Sequence, residues 1–384
     1  MIPLHNLRRF FYKAIKQPSY ALKVFKKRLV ASAYYLWGNG QSSQPEAITL
    51  FLTHKCNLRC KMCGQWGEGG VTKREDPSFS RTELSFEEAK GFIDAVSADK
   101  PNITLFGGEP LLFAHCTDLI RYIKGKSMHC LVITNGSLLE EMAEDIAGSG
   151  LDELNVSLDG QAALHDQIRG MPGLFDSIMR GLETVNRYKE RCKKKRPLVN
   201  IQCTINKYNY DKLEQLLDVA EKSKASSLTF HNLIFMGRAT AERQKKYDIK
   251  LRCDSKMWEG FMFEPGIDPR VLHDKMGEIL SERRSFSLDF YPYFSPSLLS
   301  RYYTDCDYIP LEYGYRCISP WVAAYVFPGG EVRPCLNCSY SYGNIREKRF
   351  SDIWNSETAV QYRKFLKKNR MFPVCVRCTE LYRY

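Results

Sequence analysis

Three cysteines in one short segment are the first residues whose types and spacing could do metal chemistry. Cys56, Cys60 and Cys63 lie within eight residues of "THKCNLRCKMCGQWG" (53–67). A structural zinc site takes four protein ligands, whereas this segment offers three thiols. A [4Fe–4S] cluster held by three thiolates leaves one iron open to a small molecule. The spacing therefore favours an iron–sulfur cluster over zinc, and zinc stays open as the alternative.

A second group of cysteines lies further along the chain. Its members are Cys317, Cys335, Cys338, Cys375 and Cys378. Gly329 and Gly330, which precede Cys335, predict the turn of a β-hairpin. The pair at 375 and 378 has Cys-x2-Cys spacing. The spacing of this set permits a zinc ribbon with four cysteine ligands.

Composition and charge limit the class of protein. The chain has 384 residues, 14 cysteines and a net charge of +12. It is too long for a small disulfide scaffold, and its first residues do not form a signal peptide, so we expect a cytoplasmic, reducing compartment. Residues 1–45 hold eight Lys or Arg and no acidic residue. They predict a basic amphipathic helical arm that packs on the main domain or lies on a membrane surface.

Short apolar strands alternating with helical segments must position these cysteines. The predicted strands are 47–52, 102–108, 129–136, 151–160, 198–206 and 226–234. Ser85 followed by Glu88 predicts a capping box at the start of one helix. This alternation is typical of parallel βαβ units, whose functional loops follow the carboxyl ends of the strands. The first cysteines, "GGEP", "TNG" and "SLDG" all follow such strands.

Changes in the pattern of residue types along the chain predict four regions. They are a helical arm at 1–45, a core barrel at 46–237, a linker or substrate-side insertion at 238–305 and a cysteine-rich module at 306–384.

The order of these motifs resembles that of the radical S-adenosylmethionine (SAM) family. The likeness rests on Cys56-x3-Cys60-x2-Cys63, then "GGEP" (107–110), "TNG" (134–136) and "SLDG" (157–160), and it covers about residues 47–235. It implies a partial (β/α)6 TIM-like barrel with a [4Fe–4S] cluster at its mouth. The amino and carboxylate groups of SAM would bind the open iron.

The resemblance also implies SAM-binding residues. They are Gly107, Gly108, Glu109, Pro110, Asn135, Ser157, Asp159 and Arg169. Glu109 and its glycines match the segment that contacts the SAM amino group. Ser157 and Asp159 match positions near the ribose and methionine ends. Arg169 is a candidate for the SAM carboxylate or for a structural salt bridge, and Asn135 is expected to shape a turn. Met62 stands where the family often has an aromatic residue, and a thioether can replace it against adenine.

The C-terminal cysteines resemble the SPASM module in its shortened form, called twitch. That likeness implies an auxiliary [4Fe–4S] cluster with Cys317, Cys335, Cys375 and Cys378 as its ligands, and with Cys338 and Cys306 as spare candidates. The radical SAM likeness favours iron–sulfur over zinc here too.

The function implied is reductive cleavage of SAM to a 5′-deoxyadenosyl radical, followed by oxidation of an unactivated C–H bond, as dehydrogenation or bond formation. A flavodoxin or ferredoxin would donate the electron. Because about 45 residues precede the barrel, too few for a leader-binding domain, the expected substrate is a small molecule, and the arm at 1–37 favours a membrane-associated one.

Three alternatives stay open. A peptide-modifying maturase of the RiPP type would act with a separate leader-binding partner. A radical epimerase would use Cys203 or Cys253 as the hydrogen-atom donor. The most distant alternative, a zinc-containing module that binds nucleic acid, leaves the "GGEP" motif without a role, so we expect no nucleic-acid partner.

Overall fold

A computed structural model describes residues 18–305, 308 and 314–383. Its strands are β1 (Ala47–Phe51), β2 (Asn102–Phe106), β3 (Cys130–Thr134), β4 (Glu153–Ser157), β5 (Leu198–Thr204), β6 (Ser227–His231), β7 (Ser287–Tyr291), β8 (Ala323–Val326), β9 (Glu331–Arg333) and β10 (Gly343–Asn344). Its α-helices are α1 (Pro18–Trp37), α2 (Val71–Arg74), α3 (Pro77–Arg81), α4 (Phe86–Val96), α5 (Cys116–Gly125), α6 (Leu139–Gly148), α7 (Ala162–Arg169), α8 (Leu174–Arg191), α9 (Gln215–Lys222), α10 (Arg238–Leu251), α11 (Pro269–Ser281), α12 (Pro296–Thr304), α13 (Ser319–Val322), α14 (Phe350–Trp354) and α15 (Glu357–Asn369). Short 3-10 helices span Pro110–Leu112, Lys256–Phe261, Pro373–Arg377 and Thr379–Tyr382.

All described strands belong to one sheet in the order β10-β9-β8-β1-β2-β3-β4-β5-β6-β7. Strands β1 to β7 are parallel, and β8 lies parallel to β1 on its other side. The sheet does not close, which confirms the partial barrel. The hairpin of β8 and β9 is also confirmed, and Gly330 in its turn has a φ of +88°, a conformation that favours glycine.

The two faces of the sheet differ in chemistry. Leu154 and Val156 of β4 point into the hydrophobic core shared with the helices, as does Ile201 of β5. Because successive side chains of a strand alternate between faces, Asn155 and Gln202 lie on the opposite face. Since the helices surround the outside of such a barrel, this polar side is its inner face.

The predicted capping box at the start of α4 is confirmed. Ser85 Oγ accepts a hydrogen bond from the Glu88 backbone N–H at 3.1 Å, and Glu88 Oε2 accepts one from the Ser85 N–H at 2.7 Å. Glu88 also pairs with Arg346 at 2.6 Å. Hydrogen bonding from Arg346 is the main reason that the pKa of Glu88 falls to about 2. The cap thereby also ties the helix to the C-terminal module.

Helix α1 packs against α13 through one side, where Tyr35 meets Trp321. Val24 and Tyr35 are buried, and Arg28 pairs with Glu46, just before β1, at 2.7 Å. The other side of α1 carries exposed apolar residues: Leu22, Phe25, Leu29, Val30, Tyr34, Leu36 and Trp37. Among the described residues, no helix has the length and hydropathy needed to cross a membrane. The rest of the predicted arm, residues 1–17, lies outside the described residues.

The segment predicted as an insertion, 238–305, contains three α-helices, one 3-10 helix and one more strand, β7, which pairs with β6. In the C-terminal module, β8 extends the barrel sheet through β1. The two regions thus share elements with the core sheet, and the four predicted boundaries stay predictions.

Candidate iron–sulfur and SAM-binding site

The first cysteines lie on the loop that follows β1. The Leu58 N–H donates to Cys56 Sγ at 3.5 Å, and the Trp66 N–H donates to Cys63 Sγ at 3.3 Å. A third donor, Arg169 Nη1, lies 3.8 Å from Cys60 Sγ. Each sulfur therefore has a hydrogen-bond donor, an arrangement that stabilises sulfur as a metal-bound thiolate.

The donor set of this loop fits a cluster with an open iron. Burial raises the pKa of the Cys56 thiol to about 11 and also raises that of Cys60, so metal binding here must release protons. The ring of neighbouring His54 stacks on Phe79 with centroids 4.2 Å apart, and burial lowers its pKa to about 4. Within the described ranges, no three His, Cys, Asp or Glu residues are arranged to hold a single metal ion.

The two glycines of "GGEP" bring the end of β2 against the cysteine loop. The Gly108 N–H donates to the Thr53 carbonyl and the Glu109 N–H to the Lys55 carbonyl, both at 2.8 Å. A Cβ at Gly107 would lie 2.6 Å from the Thr53 oxygen, and one at Gly108 would lie 2.2 Å from the Lys55 oxygen. Glycine is required at both positions because a side chain would collide with backbone.

The Glu109 carboxylate is buried and holds the end of β3. It accepts hydrogen bonds from Thr134 Oγ1 at 2.7 Å, from the Asn135 N–H at 2.6 Å and from the Leu111 N–H at 3.0 Å. Burial raises its pKa to about 7 although these donors act to lower it. Pro110 opens the short 3-10 helix that follows. The contact of Glu109 with the SAM amino group stays a prediction.

Asn135 shapes a turn and also contacts a cysteine. Its Oδ1 accepts a hydrogen bond from the Ser137 N–H at 2.8 Å, as in a local Asx turn. Its Nδ2 donates to Asn57 Oδ1 at 3.1 Å and lies 3.7 Å from Cys56 Sγ. Asn57, which lies between the first two cysteines, had not been singled out in the sequence.

Asp159 and Arg169 form a buried ion pair behind the loop. Arg169 Nε lies 2.6 Å from Asp159 Oδ2, and the Thr204 N–H donates to Asp159 Oδ1 at 2.8 Å. Asp159 thereby orients the guanidinium that reaches Cys60. Ser157 is half-buried on the inner face, at the end of β4. Direct contacts of these side chains with SAM stay predictions.

The C-terminal cysteines lie around a cavity of their own, the C-terminal cavity. Cys317, Cys335, Cys338, Cys375 and Cys378 line it, together with apolar side chains such as Trp258, Tyr362 and Phe372. Burial raises the pKa of Cys375 to about 11 and also raises that of Cys317 well above its usual value. Five converging thiols in a mostly apolar cavity fit an iron–sulfur cluster with four cysteine ligands. The remaining spare candidate, Cys306, lies outside the described residues.

Comparison with known proteins identifies the family. The radical SAM superfamily model matches residues 50–220, and the model of the SPASM iron–sulfur cluster-binding domain matches residues 317–379. An Fe-coproporphyrin III synthase from Methanosarcina barkeri is 30% identical over 320 residues, which cover 79% of this chain and 72% of that protein. The chain belongs to the radical SAM superfamily.

Further comparisons of this radical SAM protein agree with both modules. An AdoMet-dependent heme synthase from the same organism is 28% identical and covers 88% of this chain and 89% of its own length. Streptococcus suis SuiB bound to S-adenosylmethionine has the same fold, with a TM-score of 0.61, 16% identity and coverage of 88% and 72% of the two chains. The protein is thus a radical SAM enzyme that uses SAM and iron–sulfur clusters, with an auxiliary-cluster domain.

Two cysteines of this radical SAM enzyme, Cys203 and Cys253, are predicted hydrogen-atom donors. Cys203 is wholly buried on the helix side of β5, opposite to Gln202, and Asn209 Nδ2 donates to its sulfur at 3.5 Å. Cys253 Sγ lies 3.7 Å from Cys338 Sγ. The side chain of Cys203, on the helix side, does not face the inner face, and the donor roles of both cysteines stay predictions.

Proposed function

We propose that this enzyme generates a 5′-deoxyadenosyl radical at Cys56, Cys60 and Cys63 and oxidises an unactivated C–H bond of a small molecule held on its inner face. The observation that carries the proposal is the presence of two sets of thiols. Three thiols on the loop after β1 each contact an N–H group, and a larger set lines a cavity in the C-terminal module.

The residues around the first set have distinct tasks. When bound, the cluster supplies the electron that cleaves SAM into methionine and the 5′-deoxyadenosyl radical. Arg169 and Asn135 orient the sulfurs of Cys60 and Cys56 through N–H donors. The buried carboxylate of Glu109 fixes the loop after β3 beside them. Burial of these groups excludes water, which protects a reactive radical from side reactions.

The inner face supports a small organic substrate. On β1 and in the turn after β8, the rings of Phe51 and Phe327 stack with centroids 5.3 Å apart, and Phe106 of β2 meets Phe51 edge to face. Across the barrel, His231 Nε2 lies 2.6 Å from Gln202 Oε1. Phe51 and Phe327 are buried, so the half-buried ring of Phe106 is the aromatic surface on this side. The other side carries hydrogen-bonding groups, and a compact substrate with both apolar and polar surface fits between them.

The names of the relatives bear on the choice between a small molecule and a peptide as substrate. The synthases named for Fe-coproporphyrin III and heme support a small, flat substrate. A peptide substrate is the runner-up, because the sporulation killing factor maturation protein SkfB of Bacillus subtilis is 25% identical and covers 87% of this chain. SuiB has been solved with its precursor peptide SuiA.

The substrate proposal is tested with Fe-coproporphyrin III and a panel of peptides as probes. We expect the porphyrin to increase 5′-deoxyadenosine formation by the reduced, cluster-loaded enzyme, and the variant Gln202→Leu/His231→Leu to lose about tenfold or more of that stimulation, since it removes the paired polar groups. Gln361→Leu, on the exposed face of α15, is the matched control. Stimulation by a peptide with none by the porphyrin would contradict the small-molecule proposal.

For the second half of the reaction, we infer that the auxiliary cluster, when bound, would supply an acceptor for one electron of the substrate radical, so that the product would be a dehydrogenated or newly bonded substrate. Cys317, Cys335, Cys375 and Cys378 would be its ligands. The helix-side position of Cys203 favours this oxidation over an epimerisation that takes its hydrogen atom from that thiol. A flavodoxin or ferredoxin would supply the electron for SAM cleavage.

We also propose that α1 contacts an anionic membrane surface. The exposed fractions of Leu22, Leu29 and Trp37 are 55%, 55% and 79%, and Lys26 is exposed beside them. An apolar face with basic residues and no carboxylates matches the interface of an anionic bilayer. Placing this face on the membrane would bring the enzyme close to a lipid-soluble substrate.

Vesicle binding tests this contact. We expect the full chain to bind phosphatidylserine vesicles more tightly than phosphatidylcholine vesicles, and Leu22→Asp/Leu29→Asp to weaken that binding by about tenfold or more, because each change places a charge in the acyl region. Ile249→Asp, at an exposed position of α10, is the control. Equal binding of both variants and the parent chain in a co-sedimentation assay would remove the proposal.

A further inference from the structure

Two cysteines distant in sequence meet beside the C-terminal cavity. Cys253 follows the end of α10, and Cys338 follows β9, yet their Sγ atoms are 3.7 Å apart. Cys338 is buried and lines the cavity, whereas Cys253 is half-buried and does not line it. The pair therefore joins the cavity wall to the helical segment outside it.

The backbone holds the two thiols together. The two segments of the chain are hydrogen-bonded to each other directly after each cysteine. The Asp254 N–H donates to Ser339 Oγ at 2.7 Å, and the Ser339 N–H donates to the Asp254 carbonyl at 3.0 Å. On the other side of Cys253, Arg252 ends α10 with a left-handed φ of +52° and turns the chain toward the module. The approach of the sulfurs is thus set by hydrogen-bonded backbone.

The number and spacing of the thiols leave this pair outside a cluster. A cubane [4Fe–4S] cluster takes four cysteines, each on a different iron, whereas the cavity has five. Two sulfurs 3.7 Å apart match thiolates that share one metal ion, since bonds of about 2.3 Å to tetrahedral zinc place sulfurs about 3.8 Å apart. Cys335 also contacts Cys338, but no three His, Cys, Asp or Glu residues in the described part of the chain are arranged around a single metal ion.

We propose that Cys253 and Cys338 form a redox-active dithiol that closes to a disulfide beside the auxiliary cluster, and that neither residue is a ligand of that cluster. Only this last clause rests on the proposed auxiliary cluster. A small-molecule disulfide is the oxidant: the two protein thiols become one disulfide, and the small-molecule disulfide takes up both electrons and both protons to give two thiols.

Formation of the disulfide between Cys253 and Cys338 would fix one wall of the C-terminal cavity. The 3-10 helix Lys256–Phe261 begins three residues after Cys253 and carries Trp258, which lines the cavity. A link to Cys338 ties this helix covalently to the C-terminal module. It also keeps the fifth thiol from competing with the four ligands for iron.

The experiment uses the full chain, reconstituted with iron and sulfide under anaerobic conditions and titrated with oxidised glutathione. After alkylation and digestion, mass spectrometry should find the Cys253–Cys338 cross-link as the main intramolecular disulfide. Iron content should stay at its starting level. The cross-link should be absent in Cys253→Ser and Cys338→Ser, and both variants should bind as much iron as the parent chain. Cys192→Ser, at an exposed position, is the matched control.

Two results would overturn the proposal. One is a loss of about four irons per chain in Cys338→Ser, which would make Cys338 a cluster ligand. The other is glutathionylation of Cys253 with no cross-link to Cys338. Failure of the auxiliary cluster itself is distinguishable, because the parent chain would then bind about four irons in place of about eight while the cross-link still formed. Melting temperatures of both serine variants separate these outcomes from misfolding.

Discussion

Replacing Cys56, Cys60 and Cys63 together with alanine should abolish reductive cleavage of SAM. We expect a loss of at least about 1,000-fold in 5′-deoxyadenosine formation, because the cofactor carries the electron and the side chains only position it. Iron content should fall by about four per chain, the content of one cubane cluster. Anaerobic turnover with dithionite, followed by chromatography of 5′-deoxyadenosine, measures the rate.

Cys192→Ala is the matched control for the triple variant. Cys192 is exposed and lies far from both thiol sets in the sequence, so Cys192→Ala should keep full iron content and full cleavage. If the triple variant retained more than a small fraction of the cleavage rate, the loop after β1 would not hold the reactive cluster. Loss of all iron from the triple variant would instead indicate that the fold of the C-terminal module depends on this loop.

The second large effect is expected at Gly108. In Gly108→Ala the new Cβ would lie 2.2 Å from the Lys55 carbonyl oxygen, and this oxygen is backbone that cannot rotate away. Overpacking of this kind costs about 1–3 kcal/mol, and relief requires the strand end and the cysteine loop to separate. We therefore expect a lower midpoint of urea unfolding and a loss of most of the iron bound at the first site.

Gly91→Ala is the matched control for this change. Gly91 lies inside α4, and a Cβ there meets no other atom within 4 Å. Alanine in a helix interior is favoured over glycine by about 0.5–1 kcal/mol, so this variant should be at least as stable as the parent chain with unchanged iron. Equal midpoints of urea unfolding and equal iron contents in the two alanine variants would show that the close contact at Gly108 does not affect stability or cluster binding.

Local patterns predicted the parts of the fold that local chemistry determines. The alternation of strands and helices anticipated β1 to β6, and Ser85 with Glu88 anticipated the start of α4. Strand β7 was missed because the residues around it, rich in proline and aromatic side chains, lack this alternation. The pairing of β8 with β1 joins residues far apart in the sequence, and no periodicity reports such a contact.

The site shows the same limit in finer detail. Spacing identified the first cysteines. The resemblance placed Gly108 in a segment that contacts the SAM amino group, but it did not show that this glycine meets the Lys55 carbonyl. It also gave Glu109 a contact with SAM and no sign of its three protein donors, which come from the 3-10 helix after β2 and from the end of β3. The contact between Cys253 and Cys338 was likewise hidden, since 85 positions separate them.

The most direct test of the whole account is anaerobic reconstitution of the full chain, followed by iron analysis and assay of SAM cleavage in the same preparation. The account predicts about eight irons per chain, as two cubane clusters, and formation of 5′-deoxyadenosine and methionine on reduction. A preparation that takes up zinc in place of iron and leaves SAM intact would contradict it.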